Sequence, residues 1–292
     1  MENKVITMCA IIVVRNEFNY LRLLLPYLQS QQIDVVIIDN DSNDNSTKLF
    51  DEFWQTPVIS VNRLPFDGIF DQKKMLIAKQ GIIDSISHDW IIHHDADEMM
   101  EHREKGYSLR DAIYQADQGG YNAINFEEFV FIPERNQDCT YSNYYEEILR
   151  YYFFSPKCNR LNRAWKRCDN LQNFLSGGHQ LEGELLNVDP RNHILRHYIT
   201  LSFEHAKAKY VGRKFAVDDL ALGWHSNRVN IEEKDLMLPL NDKKLNYLDN
   251  FESKQFNREL PLKFHYWQWY KKLPFKQKFK KYIRNLPFKI TI

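Results

Sequence analysis

The chain has 292 residues, a formal net charge of +0 and 43% hydrophobic residues. That length buries one large core, or one core plus an appendage. No apolar run is long enough to span a bilayer, and Cys9, Cys139, Cys158 and Cys168 show no metal-ligand spacing, so free thiols in a reducing cytoplasm are expected. Met1 to Lys4 leads directly into a core strand, so no leader segment is expected.

Met8 to Val14 is a continuous apolar run, the pattern of a strand buried on both faces of a parallel sheet. It breaks at Arg15-Asn16-Glu17, after which Tyr20, Leu21, Leu24, Leu25 and Leu28 recur at helical spacing. Val35 to Ile38 forms a second apolar run. It ends in the polar loop Asp39-Asn40-Asp41-Ser42-Asn43-Asp44-Asn45-Ser46-Thr47, rich in capping and Asx-turn residues. Leu49, Phe50 and Phe53 suggest a helix. Phe70, Lys74, Ile77, Ala78 and Gly81 suggest another, with Gly68 near its start. Asp89 to Glu98 reads as a short apolar strand ending in carboxylates. Asp95 and Asp97 are two apart, so in an extended segment they point the same way. The alternation of strands and helices predicts βαβ units and a mostly parallel sheet flanked by helices. In such sheets ligands bind beyond the carboxyl ends of the strands. The polar clusters near residues 15, 39 and 95 all fall at such ends.

Unpaired buried carboxylates are costly, so a cluster at a strand end calls for a counter-charge. Two carboxylates on one side suit Mg²⁺ or Mn²⁺, hard cations that also hold phosphates. The three segments Val13 to Glu17, Asp39 to Ser46 and Asp89 to Glu98, in that order and spacing, resemble the family 2-like glycosyltransferases of GT-A fold. The second segment looks like that family's Asp-Asp-x-Ser-x-Asp-x-Thr loop, with Asn40 in place of the second Asp. The third looks like its metal-binding Asp-x-Asp. The likeness covers the first half well and loosens after it, continuing through Gly177-Gly178-His179 and Arg196-His197-Tyr198.

The resemblance implies a GT-A-type domain over residues 1–230, with a helical, basic-aromatic extension over 231–292. It implies an inverting transfer of sugar from a UDP- or GDP-linked donor to a hydroxyl of a glycan or lipid-linked acceptor. Cell-surface polysaccharide or lipopolysaccharide synthesis is the implied setting. Asp39 matches the acidic residue that contacts the nucleobase. Asp95 and Asp97 match the pair holding Mn²⁺ or Mg²⁺ on the donor diphosphate, where the cation stabilises charge as the nucleotide leaves. Arg15 and Glu17 are expected to shape the nucleotide pocket, or to form a salt bridge at the strand end. Gln72 and Lys73 occupy the region that carries residues near the donor phosphates. Asp41 and Asp44 read as loop and cap chemistry. His94 is a candidate partner behind the carboxylates, and His93 a packed strand residue. His179 and His197 are candidate further metal ligands, with Gly223-Trp224-His225 and nearby Arg228 a third candidate segment.

An inverting transferase also needs a base for the acceptor hydroxyl. Glu127 and Glu128 follow the strand-like Ala123 to Phe126, and Glu128 is the candidate taken forward with Asp97 as catalytic residues. Asp138, Glu146 and Glu182 are also available. From Pro261 onward, Lys and Arg interleave with Trp267, Trp269, Tyr270, Phe275, Phe279 and Tyr282, without Asp or Glu. That pattern suits peripheral contact with an anionic membrane on its cytoplasmic face. No recognised nucleic-acid module accompanies it. A nucleotidyltransferase is the alternative enzyme class, although Arg15-Asn16-Glu17 lacks the glycines such a phosphate loop uses. A non-catalytic glycan-binding protein of the same fold is the other alternative.

Overall fold

The structure is a computed structural model and describes residues 5–156, 161–168 and 171–271. Its middle layer is a mixed ten-stranded sheet. The first half is built from β1 (Met8–Val14), α1 (Phe18–Ser30), β2 (Asp34–Asp39), α2 (Ser46–Glu52), β3 (Val58–Arg63), α3 (Gln72–Ser85) and β4 (Trp90–His94). β1 pairs in parallel with β2 and β4, and β2 pairs in parallel with β3. All of β4 is buried, as is β1 apart from half-buried Val13, which is why these segments read as unbroken apolar runs. The carboxyl ends of β4, β1 and β2 therefore lie side by side, and the three polar clusters share one edge. α3 starts later than Phe70. Asp71 caps it by accepting the Lys74 N–H at 2.8 Å, and Phe70 instead bridges Phe215.

The second half departs from the expected mostly parallel sheet. It comprises β5 (Glu98–Glu101), α4 (Leu109–Gln118), β6 (Ala123–Phe131), α5 (Tyr144–Glu147), β7 (Arg150–Phe154), β8 (Asn162–Lys166), β9 (Gln172–Leu175), β10 (Gln180–Glu182), β11 (Val188–Tyr198), α6 (Phe203–Tyr210), α7 (Val217–Ala221) and β12 (Asn246–Tyr247). β8 runs antiparallel between β4 and β6, β7 is antiparallel to β6, and β12 to β7. β11 is parallel to β6 and antiparallel to β5. After β6 the chain returns without a long crossover helix, and antiparallel pairing needs none.

The segment from residue 231 was expected to be a helical appendage. Up to Lys271 it is neither helical nor detached. It holds two 3-10 turns, Glu233–Leu236 and Tyr266–Gln268, and β12, which joins the main sheet. Leu236, Leu238, Tyr266 and Trp267 are buried in one cluster with Val130, Tyr152 and Ile199. Trp267 is 3% exposed and Trp269 is half-buried against the same cluster, so both are packing residues rather than membrane anchors. The rest of the basic-aromatic tail, 272–292, and Cys158 lie outside the described residues. Among the described residues no helix is long and apolar enough to cross a membrane. Cys9, Cys139 and Cys168 are free thiols, the first two buried.

Trp267→Ala should destabilise the fold by about 3–5 kcal/mol, the usual cost of truncating a buried aromatic. Urea unfolding followed by circular dichroism measures it. A shift below about 0.5 kcal/mol, the range of ordinary surface substitutions, would detach this segment from the core.

Candidate active site

A cavity of about 920 Å³ opens beyond the carboxyl ends of β1 and β4. Arg15 and Glu17 line it from the β1–α1 connection, Lys79 from α3, and Asp95 and Asp97 from the turn after β4. α6 and the chain after it close the opposite side.

Asp95 and Asp97 are not in extended backbone. The Glu98 N–H donates to the Asp95 carbonyl at 3.2 Å, closing a turn in which the two carboxylates meet different partners. Asp95 Oδ2 accepts from Arg163 at 2.7 Å, while its Oδ1 lies 3.8 Å from Lys79 Nζ and 3.6 Å from His93 Nε2. The same Arg163 nitrogen donates to Glu98 Oε1 at 2.7 Å. Asp97 Oδ2 accepts from Lys209 at 2.7 Å and lies 3.4 Å from His197 Nε2. His197 Nδ1 in turn lies 2.7 Å from Glu128 Oε1.

Strand alternation explains which side chains arrive there. β11 sets His197 opposite Glu98 on β5 and Val130 on β6. Its neighbour Arg196 points to the other face and pairs with Glu101 at 3.0 Å, where Lys254 joins at 2.5 Å. On β6, Glu128 is inward and 5% exposed, whereas Glu127 pairs with Arg258 at 2.8 Å. Asp138, Glu146 and Glu182 do not line the cavity.

Burial pushes Glu17 up to about 7, although Lys209 opposes it. Burial likewise pushes Glu98 up to about 7 against Arg163. Lys79 is lowered to about 8 by burial, with Asp95 pulling the other way. Burial alone would raise Asp97, but Lys209 and His197 hold it below the carboxylate range. Burial would also neutralise His197, yet Asp97 and Glu128 hold it well above the usual imidazole value, so it stands as an imidazolium bridging two carboxylates. His93 is lowered to about 3 by burial and is neutral.

Among the described residues no group of three or more His, Cys, Asp or Glu side chains is placed to hold a metal ion. A cation entering beside Asp97 would have to displace Lys209 from its Oδ2 and the proton from His197 Nε2. His197 Nε2 faces the Asp97 carboxylate, and its Nδ1 is fixed by Glu128, the support that metal-bound histidines usually have. Mg²⁺ commonly takes only one or two carboxylates from the protein and completes its shell with water and substrate phosphate. Lys209 shares the Asp97 oxygen that faces His197.

The other expected residues distribute as follows. Among the described residues Arg15 makes no salt bridge at the strand end. It donates to the carbonyls of Asn40 and Asp41 at 2.7 and 2.6 Å and stacks 3.5 Å from the Phe66 centroid, fixing the loop after β2. Asp39 is absent from the cavity lining, and its Oδ1 accepts the Ser42 N–H at 3.0 Å. Asp41 and Asp44 serve the loop, accepting from Phe66 N and from Phe18 N and Ser46 N. Lys73 is not brought to the cavity. It points to α7 and pairs with Asp218 at 3.5 Å, because the buried face of α3 carries Met75, Leu76 and Lys79. His93, not His94, is the histidine beside the Asp95 carboxylate, with Asn173 2.7 Å from its Nδ1. His94 points elsewhere, and its Nδ1 lies 2.8 Å from the Asp95 carbonyl. His179 lines the cavity after Gly178, whose φ of +86° and close approach to His93 and Leu76 leave no room for a Cβ.

Lys79, Arg163 and Lys209 were not singled out in the sequence. Lys79 had a signal, a lysine three and four residues beyond apolar Leu76 and Met75 on one helix face. Arg163 had none, since nothing local places β8 beside β4.

No protein-family model matches this chain, and no curated protein matches it in sequence. Solved structures similar to it include TarS 1-349 from S. aureus, at 13% identity and TM-score 0.42, covering 66% of this chain and 60% of that one. The same protein with UDP-GlcNAc matches at 14% identity and TM-score 0.42, over 66% and 58% of the two chains. The glycosyltransferase GlyE in Streptococcus pneumoniae matches at 15% identity and TM-score 0.24, over 42% and 30%. This chain therefore spans about 60% of the length of TarS 1-349. Overlap at this level decides neither fold nor activity.

Arg163→Met should cost about 3–5 kcal/mol, because it strands Asp95 and Glu98 without their buried counter-charge. Adding Glu98→Gln should recover part of that loss, since the two residues are directly coupled. Urea unfolding of the two variants measures both effects. Strict additivity would show that Arg163 and Glu98 do not interact.

Proposed function

We propose that this chain is a glycosyltransferase that moves a sugar from a UDP- or GDP-linked donor to a hydroxyl of a glycan or lipid-linked acceptor. The observation that carries this reading is the Asp97–His197–Glu128 relay in a large cavity beyond the carboxyl ends of β1 and β4. It is supported by the family 2-like pattern of the three sequence segments that meet at this edge.

In this reading the nucleoside lies toward Arg15 and Asn40, with Asp39, next to Asn40 in the chain, as the candidate nucleobase contact. The diphosphate lies toward Asp97. A divalent cation, Mn²⁺ or Mg²⁺, would be held by Asp97, with Asp95 engaged through water or the sugar, and His197 would join as a ligand only on giving up its Nε2 proton. When bound it would screen the leaving diphosphate. Glu128 is the general base. It takes the acceptor hydroxyl proton as the acceptor oxygen bonds to the anomeric carbon. The anomeric carbon–oxygen bond breaks, and the nucleoside diphosphate leaves with the bonding pair. Attack opposite the leaving group inverts the anomeric centre. His197 positions Glu128. A setting in cell-surface polysaccharide or lipopolysaccharide synthesis, at an anionic cytoplasmic membrane face, is supported by the family pattern and the basic-aromatic sequence of residues 272–292.

A panel of nucleotide sugars with Mn²⁺ tests the reading, by thermal stabilisation and by donor turnover. One donor class should stabilise the protein, and Asp97→Asn should abolish its turnover. Glu128→Gln should lower kcat by about 10²–10⁴, the usual weight of a general base, with donor affinity retained. Full turnover in either variant would remove that residue from the chemistry. Stabilisation by nucleoside triphosphates alone would favour a nucleotidyltransferase.

A further inference from the structure

The carboxylates of the cavity floor have cationic partners, whereas two arginines of its wall have no carboxylate partner among the described residues. Arg213 and Arg228 both line the cavity. Each guanidinium sits over the Tyr210 ring, at 5.9 and 5.8 Å from the centroid, and Arg213 also lies 5.0 Å from the Phe70 centroid. Among the described residues neither guanidinium has an ion-pair or hydrogen-bond partner. Two permanently charged groups are thus held near each other against their repulsion, on aromatic faces rather than carboxylates.

His225 completes the wall. It also lines the cavity, and its Nε2 is buried without a hydrogen-bond partner. Its backbone is in the left-handed region at φ 57°, uncommon for a non-glycine residue. Its ring stacks 5.0 Å from Phe215 and meets Phe70 edge-on at 5.1 Å. The wall is tied to the body of the domain. The Phe70 N–H donates to the Lys214 carbonyl at 2.8 Å, and the Ala216 N–H to the Phe70 carbonyl at 2.9 Å. Buried Asp219 accepts the Gln72 N–H at the start of α3 at 2.6 Å. The positive charge is therefore held in a fixed position.

We propose that Arg213, Arg228 and His225 form an oxyanion site that takes the diphosphate of the donor. This rests on the nucleotide-sugar reading above. Planar guanidinium groups match phosphate oxygens two at a time, and a neutral imidazole with an open Nε2 supplies one more polar contact. Lys209, which pairs with Asp97, immediately precedes Tyr210 in α6, so the site continues the floor. A consequence is that phosphate recognition persists without a divalent cation.

The test is calorimetric titration of UDP, GDP, uridine, guanosine and inorganic pyrophosphate into the full chain, in EDTA and in Mn²⁺. In EDTA the preferred nucleoside diphosphate should bind at least tenfold more tightly than its nucleoside. Arg213→Met and Arg228→Met, which keep the aliphatic stems, should each reduce that preference about tenfold while leaving nucleoside affinity unchanged. The lysine variants should fall between. A preference unchanged in both methionine variants, or present only with Mn²⁺, overturns the proposal. If no nucleotide binds under any condition, the donor reading fails, and pyrophosphate decides the site alone. Pyrophosphate binding lost in the methionine variants upholds an oxyanion site, and its absence in the parent chain overturns one. Thermal melts of the variants confirm that they are folded.

Discussion

The rest of the site depends on neutralising buried carboxylates. Glu17, Asp95, Asp97, Glu98 and Glu128 all face one cavity. Ionised carboxylates taken out of water without partners would cost more than the net stability of a domain. The counter-charges come from four distant segments: Lys79 from α3, Arg163 from β8, His197 from β11 and Lys209 from α6. The antiparallel second half of the sheet is what makes this possible. β8 reaches Asp95 because it inserts between β4 and β6, and β11 reaches Asp97 because it is clasped by β5 and β6. The carboxylates and the topology constrain each other. A parallel sheet with helical crossovers throughout would not bring Arg163 to Asp95.

That dependence explains what could be read from the sequence. β1, β2 and β4 are buried on both faces, so their burial is written as unbroken apolar runs, and their shared edge follows from βαβ handedness. Asp44 makes the local turn contact its residue type suggests, with Ser46 N–H, while Asp41 binds Phe66 N–H and Arg63 across the loops. His197 and Glu128 were named, and the structure brings His197 to Asp97 and Glu128 to His197. The second half was less legible because its strands mix aromatic, charged and polar residues. Arg150 to Phe154 reads as an aromatic run suited to several environments, and its antiparallel pairing with β6 is set by tertiary contacts rather than by local pattern. Lys73 was named from the family resemblance, and Lys79 was missed because the phase of α3 is hard to fix when its apolar stripe is interrupted by lysines. The exchange of roles between His93 and His94 has a similar origin. Adjacent strand residues face opposite ways, and a one-residue choice of phase swaps them. Trp267 and Trp269 were drawn into a membrane reading by their basic neighbours, but 3-10 turns bury aromatic residues without any helical period.

Lys209 and the arginine wall give the proposed reaction an order. Lys209 already neutralises the Asp97 oxygen that faces His197, so a dication arriving alone must compete with a resident cation. An incoming diphosphate meets Arg213 and Arg228, which have no carboxylate partners among the described residues, so anion binding improves the local charge balance. Once phosphate oxygens are present, the cation gains ligands and counter-charge together. Nucleotide and cation binding are then coupled with positive sign, and the coupling is reciprocal. The affinity for Mn²⁺ alone should therefore be weak and should rise at least tenfold with a saturating nucleoside diphosphate. Lys209→Met should raise the affinity for Mn²⁺ alone and shrink that enhancement. Calorimetric titration of Mn²⁺ with and without the nucleotide measures both effects. Equal Mn²⁺ affinities in the two conditions would mean that the floor binds the cation without help from the phosphates, and that Lys209 does not guard Asp97.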